Sequence, residues 1–533
     1  MGTSAEAMPL GPAAARPATN PWLIAVVVAM AAFMEVLDTS IANVALPHIA
    51  GNLGVTTDDA TWVLTSYLVS NAIVLPISGW IAGVIGRKRF FMICIVLFTI
   101  SSMLCGFALS LPMLIVFRII QGAGGGGLQP MAQAILADTF PPEKRGLAFG
   151  LYGITAVLAP TIGPTLGGWI TDNYTWRWIF YINLPVGILA LYLVYLLVQE
   201  PPYLQQRRGS AVKFDYIGVA LLSLGVGSLQ VMLDKGQDDD WFGSHFITTL
   251  AVLAFVGLVS LVIWEWFNKS PIIEVRLFKN ANFLASNMMM FFLGVIYFAS
   301  LVMLPLFLQV VLGYTAQNSG LVLSASGFVL LFELPLVGKL TTMIPAKYLT
   351  AFGWLLMSSS MFFTVTHLDA LISFSFASSM RIFQGLGLGF LFVPITLAAY
   401  VGLPAEKSNS ISGIVNFMRN MGSSVGTSMV TTLLAQRAQV HQAYLAAHAT
   451  PGEPSFQQRV QSLAHYFAAA GTDSVTALHR AYGVVYQQLV GEATTLAYID
   501  TFMVLAIAAA IMFVLSFFLK KNDTRGGGEV AAG

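Results

Sequence analysis

Fourteen stretches of this chain are each long and apolar enough to cross a lipid bilayer as a helix, and that repetition constrains its fold more than any other feature. A hydrocarbon core takes about 20 apolar residues in helical form. By that measure, spans run near 22–46, 60–82, 90–110, 112–136, 146–169, 178–198 and 215–233. Seven more lie near 246–267, 283–310, 318–340, 348–367, 371–396, 408–434 and 497–519. Only 10% of the 533 residues are charged and 56% are apolar, whereas soluble domains carry roughly 25% charged residues. A globule of this size would have too little polar surface to stay in water, so the chain is expected to be an all-α membrane protein. The net charge of +1 suggests neither nucleic acid nor an acidic partner. Cys94 and Cys105 lie on one predicted helix, roughly 16 Å apart along its axis, too far to bridge. Residues 1–21 are rich in Ala, Pro and Gly, lack the pattern of a removable signal, and read as a disordered tail.

Lys and Arg set the expected orientation. With the N-terminus in the cytoplasm, inside segments hold eighteen of them and outside segments five, so both termini are expected to be cytoplasmic. An internal repeat organises the spans. Residues 118–126 (RIIQGAGGG) and 381–389 (RIFQGLGLG) share six identities in nine at an offset of 263. The same offset aligns Pro141-Pro142-Glu143-Lys144 with Pro404-Ala405-Glu406-Lys407, Gly150 with Gly413, and Gly163 with Gly426. A slightly smaller one pairs Pro76 and Gly79 with Pro335 and Gly338. The predicted organisation is a six-helix bundle over 22–198, an inserted pair with its linkers over 199–282, a second six-helix bundle over 283–519, and a tail over 520–533. Two parallel six-span halves flanking a midplane site are the plan of major-facilitator transporters. Within the second half, 435–496 reads as a polar external loop in which 455–469 has the pattern of an amphipathic helix.

Six ionisable residues fall inside spans: Glu35, Asp38, Arg118, Glu333, Arg381 and Arg419. A charge at the bilayer centre costs at least ~2.5–3.5 kcal/mol, so each should face the bundle interior or a wet cavity. Glu35 and Asp38 are three apart and share a helix face. Arg118 sits at the depth of Asp38 on the fourth span, which makes an Asp38–Arg118 pair reasonable. Either one of the two carboxyls carries a transported proton, with Arg118 beside it, or the pair is a static bridge between helices. Glu333 and Arg419 are a second proton or substrate element, or a pair that locks the C-terminal half. Arg381, as the repeat partner of Arg118, reads as structural. The run Gly122–Gly127 lacks the Lys-Ser/Thr of a nucleotide loop and suits close helix packing instead. Gly163, Pro164, Gly167 and Gly168 likewise permit tight packing, with the proline adding a kink or pivot. No metal-ligand cluster, catalytic motif or cofactor motif is visible, so neither an enzyme nor a metal site is expected; a proton gradient would be the energy source.

Three contiguous motifs stand out: Leu37-Asp38-Thr39-Ser40-Ile41-Ala42-Asn43-Val44-Ala45-Leu46-Pro47, Arg118 with Gln121-Gly122, and Gly163-Pro164-Thr165-Leu166-Gly167-Gly168. By these residues the chain resembles, at family level, the EmrB/QacA drug:proton antiporters with fourteen spans, and most closely the EmrB type. Trp176-Arg177-Trp178-Ile179-Phe180-Tyr181-Ile182-Asn183-Leu184-Pro185 is also typical, whereas Gly83 stands where the superfamily pattern has Asp. The resemblance implies a bacterial inner-membrane exporter of hydrophobic toxic compounds, exchanged against protons by alternating access. It also implies a periplasmic adaptor and an outer-membrane channel as partners, with the external loop as the docking element. The alternatives are an exporter dedicated to one metabolite, fatty acid or siderophore, and a membrane sensor or scaffold that transports nothing.

Overall fold

The computed structural model describes residues 20–201 and 215–519, and every regular element among them is helical. The two predicted tails, apart from Asn20 and Pro21, and the basic cluster Arg207, Arg208 and Lys213 lie outside the described residues. The first half comprises α1 (Pro21–Leu53), α2 (Trp62–Ile85), α3 (Arg87–Gly106) and α4 (Leu111–Gly125, continuing as Leu128–Thr139). It is completed by α5 (Pro142–Asn173) and α6 (Trp178–Tyr181, continuing as Asn183–Leu197). The inserted pair is α7 (Tyr216–Lys235) and α8 (His245–Phe267). The second half begins with α9 (Ala281–Leu293, a π-helical turn Gly294–Phe298, then Ala299–Val310) and α10 (Ala316–Leu340). It continues with α11 (Ala346–His367), α12 (Phe374–Ala399), α13 (Ser408–His448) and α14 (Ser474–Ser516). Both described termini lie at one end of the bundle, hereafter the terminal end.

Thirteen of these helices are apolar enough over their length to cross a membrane. The exception is α13, which is 41 residues long but rich in Ser, Asn and Gly. Its first half is buried against α2, α9 and α14, shielded from lipid, and so has no need of an apolar surface. Helix ends follow local chemistry. Asn20 accepts a hydrogen bond from Trp22 N at 3.0 Å to start α1, and Gly54, at φ +66°, takes the left-handed conformation that ends it. Asp215 caps α7 through Gly218 N at 2.8 Å and also accepts from Trp264 Nε1 and the Asn268 amide, which ties the start of α7 to the end of α8.

Small residues set the spacing between helices. A Cβ on Gly124 would lie 2.7 Å from Phe98 N of α3, and one on Gly126 would lie 2.8 Å from Asn71 O of α2. The glycine run of α4 is therefore a packing surface. The two halves meet along α5 with α10 and along α2 with α13. A Cβ on Gly150 would lie 2.7 Å from Leu334 O, and one on Gly79 would lie 2.7 Å from Ser410 Cα. At the terminal end the halves are thus in backbone-to-backbone contact.

The segment 435–496 differs from the expected loop, because nearly all of it is helical. α13 extends to His448, a short helix covers Pro454–Ala469 where the amphipathic pattern predicted one, and α14 begins at Ser474. Arg437 and His441 both contact Asp500 Oδ2, at 2.6 and 2.7 Å, and fasten the base of this hairpin. Polar residues at these positions carry no span-forming pattern, yet once α13 and α14 leave the bundle side by side they continue as paired helices.

Candidate functional site

A cavity of about 440 Å³ lies between the halves. It runs from Glu35, Gln129 and Arg419 at its floor to Asp238 and Thr431 near the hairpin end. Below the floor, Asn416 Nδ2 of α13 donates to Gln133 Oε1 of α4 at 2.8 Å, and Tyr152 of α5 stacks on Phe392 of α12.

Glu35 is buried in the middle of α1 and lines this cavity. Its Oε1 accepts from Tyr67 Oη and Asn71 Nδ2 of α2, both at 3.1 Å, and its Oε2 accepts from Gln129 Nε2 of α4 at 2.5 Å. Gln129 Oε1 in turn accepts from Arg419 Nη2 of α13 and from Tyr152 Oη at 3.3 Å. Glu35 is therefore joined to the opposite half through one neutral amide. It makes no ion pair among the described residues. Gly125 makes room for this cluster, since a Cβ there would lie 2.5 Å from Tyr67 Oη.

Asp38, one turn along α1, has a different environment. Its carboxylate accepts from Arg118 Nη1 at 2.6 Å, Gln121 Nε2 at 2.9 Å and Asn183 Nδ2 at 2.7 Å. Arg118 also donates from Nε to Val63 O at 3.0 Å, and its Cζ lies 4.3 Å from the centroid of the Tyr67 ring. The expected Asp38–Arg118 pair is formed, fully buried, and neither residue lines the cavity. Tyr67 links the two carboxyl environments, with its ring on Arg118 and its hydroxyl on Glu35.

Glu333 and Arg419 do not pair, which removes the alternative of a lock within the C-terminal half. α10 packs on α5 and α12, whereas α13 packs on α2, α9 and α14, so the two side chains point into different interfaces. Arg419 reaches across to Gln129 of the first half. Glu333 is buried against Gly389, and neither of its carboxyl oxygens has a hydrogen-bond partner. Arg381 donates to Gln384 Oε1 and Tyr297 Oη, both at 3.1 Å, but it has no acidic partner among the described residues. The repeat offset places Leu301 where the first half has Asp38. Around α5, Gly163 meets Ser40, and a Cβ on Gly167 would lie 3.0 Å from Ile41 Cγ2. Gly168 has nothing within 4 Å and takes no part in that packing, because it lies one residue round the helix from the face that Gly163 and Gly167 share. Pro160 and Pro164 lie inside α5 without interrupting it. Gly83 faces open space, and the charge contact at the terminal end is made instead by Arg87 with Asp138 of α4 at 2.6 Å. Ser408 of α13 donates to the same Asp138 at 3.3 Å.

Sequence reasoning centred on charges missed Tyr67, Asn71 and Gln129, the neutral partners of Glu35. Amides in mid-span were the available signal. It also missed Gln230 and Asp234 of α7, which line the cavity although the inserted pair lies outside the repeat.

A Major Facilitator Superfamily model matches residues 28–427. The chain is 37% identical over 494 residues to the multidrug export protein EmrB of Haemophilus influenzae, covering 92% of this chain and 95% of that protein. It is 35% identical over 506 residues to EmrB of Escherichia coli, covering 95% and 96%. The fatty acid resistance protein FarB of Neisseria gonorrhoeae is 35% identical over 501 residues, covering 94% and 96%. The proton:xylose symporter XylE has the same fold, with a TM-score of 0.60 at 14% identity over 95% of this chain and 97% of that one.

Proposed function

We propose, since the chain belongs to the Major Facilitator Superfamily and to its EmrB-like branch, that it is a multidrug efflux transporter in which a proton on Glu35 is exchanged for a hydrophobic or amphipathic compound in the cavity. The protein is a multi-pass membrane transporter and not an enzyme. Efflux of several unrelated compounds rests on the EmrB relatives. The assignment of the proton to Glu35 rests on one observation, that Glu35 lines the cavity and holds the opposite half only through Gln129 and Arg419.

The coupling follows from hydrogen-bond chemistry. An ionised Glu35 accepts strongly from Gln129 Nε2, which orients the amide so that its oxygen meets Arg419. Protonation weakens that acceptor and loosens Arg419, the one charged group among the described residues that the second half brings to the cavity floor. The helices that carry Gln129 and Arg419 are then free to part at the floor, while the hairpin end closes. Each proton that moves down a potential of 100 mV supplies about 2.3 kcal/mol. The energy source is the proton gradient, with no cofactor in the cycle. The orientation that places the hairpin outside, with both termini in the cytoplasm of a bacterial inner membrane, rests on the distribution of Lys and Arg.

The test is proton release from energised inside-out vesicles on addition of a panel of unrelated hydrophobic compounds. Responses to several of them support polyspecific exchange. The FarB relative favours a second reading, an exporter dedicated to fatty acids, and a response confined to long-chain fatty acids would select it. Silence throughout the panel would remove proton exchange.

The helical hairpin is the docking element we propose for a periplasmic adaptor, itself the route to an outer-membrane channel. Gln442 Nε2 lies 3.4 Å from Tyr486 Oη, so residues 443–485 can be replaced by a short Gly-Ser link while the Asp500 contacts stay intact. That deletion is expected to leave proton release in vesicles at the wild-type level and to abolish resistance in cells. Equal loss in both assays would assign the hairpin to folding or gating instead.

A further inference from the structure

The inserted helix α7 lies against α2 of the first half and α13 of the second. Gly227 packs near Val69 and Ile73 of α2, and Ser424 of α13 donates to Gln230 Oε1 at 3.0 Å. Just beyond α7, Trp241 Nε1 donates to Thr432 Oγ1 of α13 at 3.0 Å. α7 therefore closes the side of the cavity between α2 and α13 and is a third wall to it. One turn from the Gln230–Ser424 contact, on α7 and α13 respectively, come Asp234 and Ser428, and both line the cavity.

These two residues differ from the rest of the wall. Asp234 is exposed to the cavity, and one of its oxygens is held by Thr65 Oγ1 of α2. Ser428 is 5% exposed, and its hydroxyl makes no hydrogen bond. The cations nearby are committed elsewhere. Lys235 Nζ is held by Thr61 Oγ1 at 2.5 Å and Asp58 O at 3.2 Å and lies 3.7 Å from Asp238 Oδ2, and Arg419 is bound to Gln129 at the floor. Among the described residues the lining carries Glu35, Asp234 and Asp238 with Arg419, and Lys235 offsets Asp238, so Asp234 is the carboxylate without an ion pair towards the hairpin end. A carboxylate that faces a cavity with low-dielectric walls attracts a positive charge more strongly than one on an open surface.

We propose that Asp234, with Ser428 beside it, is a specificity-determining subsite for compounds that carry a positive charge, and that the inserted pair thereby sets the charge preference of the transporter. This rests on the reading of the cavity as the transport pocket. Neutral compounds use the same cavity without that contact.

The experiment measures binding of tetraphenylphosphonium, a permanent cation, and of uncharged triphenylphosphine oxide to the purified full-length protein. Asp234→Asn is expected to weaken tetraphenylphosphonium roughly tenfold and to leave triphenylphosphine oxide within about twofold, as for one charge contact in a partly hydrated site. Asp234→Glu should restore the cation, which separates charge from wall packing. Thr427→Trp fills the cavity and should weaken both compounds. If Thr427→Trp changes neither, the cavity is not the binding site, and the reading beneath this proposal fails with it. If Thr427→Trp acts but Asp234→Asn weakens both compounds equally, or neither, the charge subsite alone is overturned. Failure of the wild type to bind tetraphenylphosphonium overturns it as well.

Discussion

Glu35→Gln is expected to reduce drug-induced proton release in inside-out vesicles to the background of vesicles without the transporter. The substitution is close to isosteric and leaves Tyr67, Asn71, Gln129 and Arg419 in place, so the protein should insert and purify as the wild type does. It removes the only carboxyl among the described residues that both lines the cavity floor and bonds to the residue that meets the opposite half. An amide at this position cannot exchange a proton and cannot alternate between a strong and a weak acceptor for Gln129. Drug binding should survive, because the cavity keeps its shape. Proton release at the wild-type level in Glu35→Gln would move the proton pathway elsewhere. Asp38→Asn in the same assay would then be the next measurement, since Asp38 is the other carboxyl of α1.

Arg118→Ala is expected to destabilise the protein by about 3–5 kcal/mol, because it leaves the Asp38 charge buried without its ion pair. Gln121 and Asn183 would still donate to Asp38, but they bring no charge. Thermal unfolding in detergent reads this directly. Asp38→Asn in the Arg118→Ala background should recover part of the loss, because the stranded charge is then gone. Arg118→Lys should fall between wild type and Arg118→Ala. It keeps a positive charge near Asp38 but loses the planar fork that serves Asp38, Gln121 and the Val63 carbonyl together. If Arg118→Ala unfolds like the wild type yet transports nothing, the pair belongs to the transport cycle and not to the joining of α1 with α4.

These two experiments separate residues that the sequence places side by side. Glu35 and Asp38 are three apart on one helix, and the sequence offers both as proton carriers. One turn of α1 moves the carboxyl from an Arg118 fork to a cluster of neutral donors, and from the protein interior to the wall of a cavity. No pattern along α1 encodes that difference. It depends on which residues α2, α4 and α6 bring to each level. Asp234 illustrates the same point, because its position at the end of an inserted span gave no sign that it would face the transport cavity.

Charged residues inside spans were found from sequence because their burial cost makes them rare there. Their pairing was recoverable only where helix depth and direction decided it, as for Asp38 with Arg118. Glu333 and Arg419 are at similar depth too, but α10 and α13 are not neighbours, and depth alone could not reveal that. The hairpin was misread for a different reason. Span detection relies on apolar length, and helices that leave the membrane keep their hydrogen bonds without keeping that signal.

By itself, then, the sequence determined the membrane class, the fourteen helices, the two related halves, the inserted pair and the family. Each follows from properties carried along the chain, namely apolar length, the repeat at an offset of 263 and contiguous motifs. Only the tertiary structure decided which carboxyl lines the cavity, that Arg419 serves the opposite half, and that α7 is a wall of the site. The physical reason is that hydrogen bonds and charge contacts act over about 3–4 Å between helices far apart in sequence. Which side chains come within that range is set by how helices pack, which no single span records.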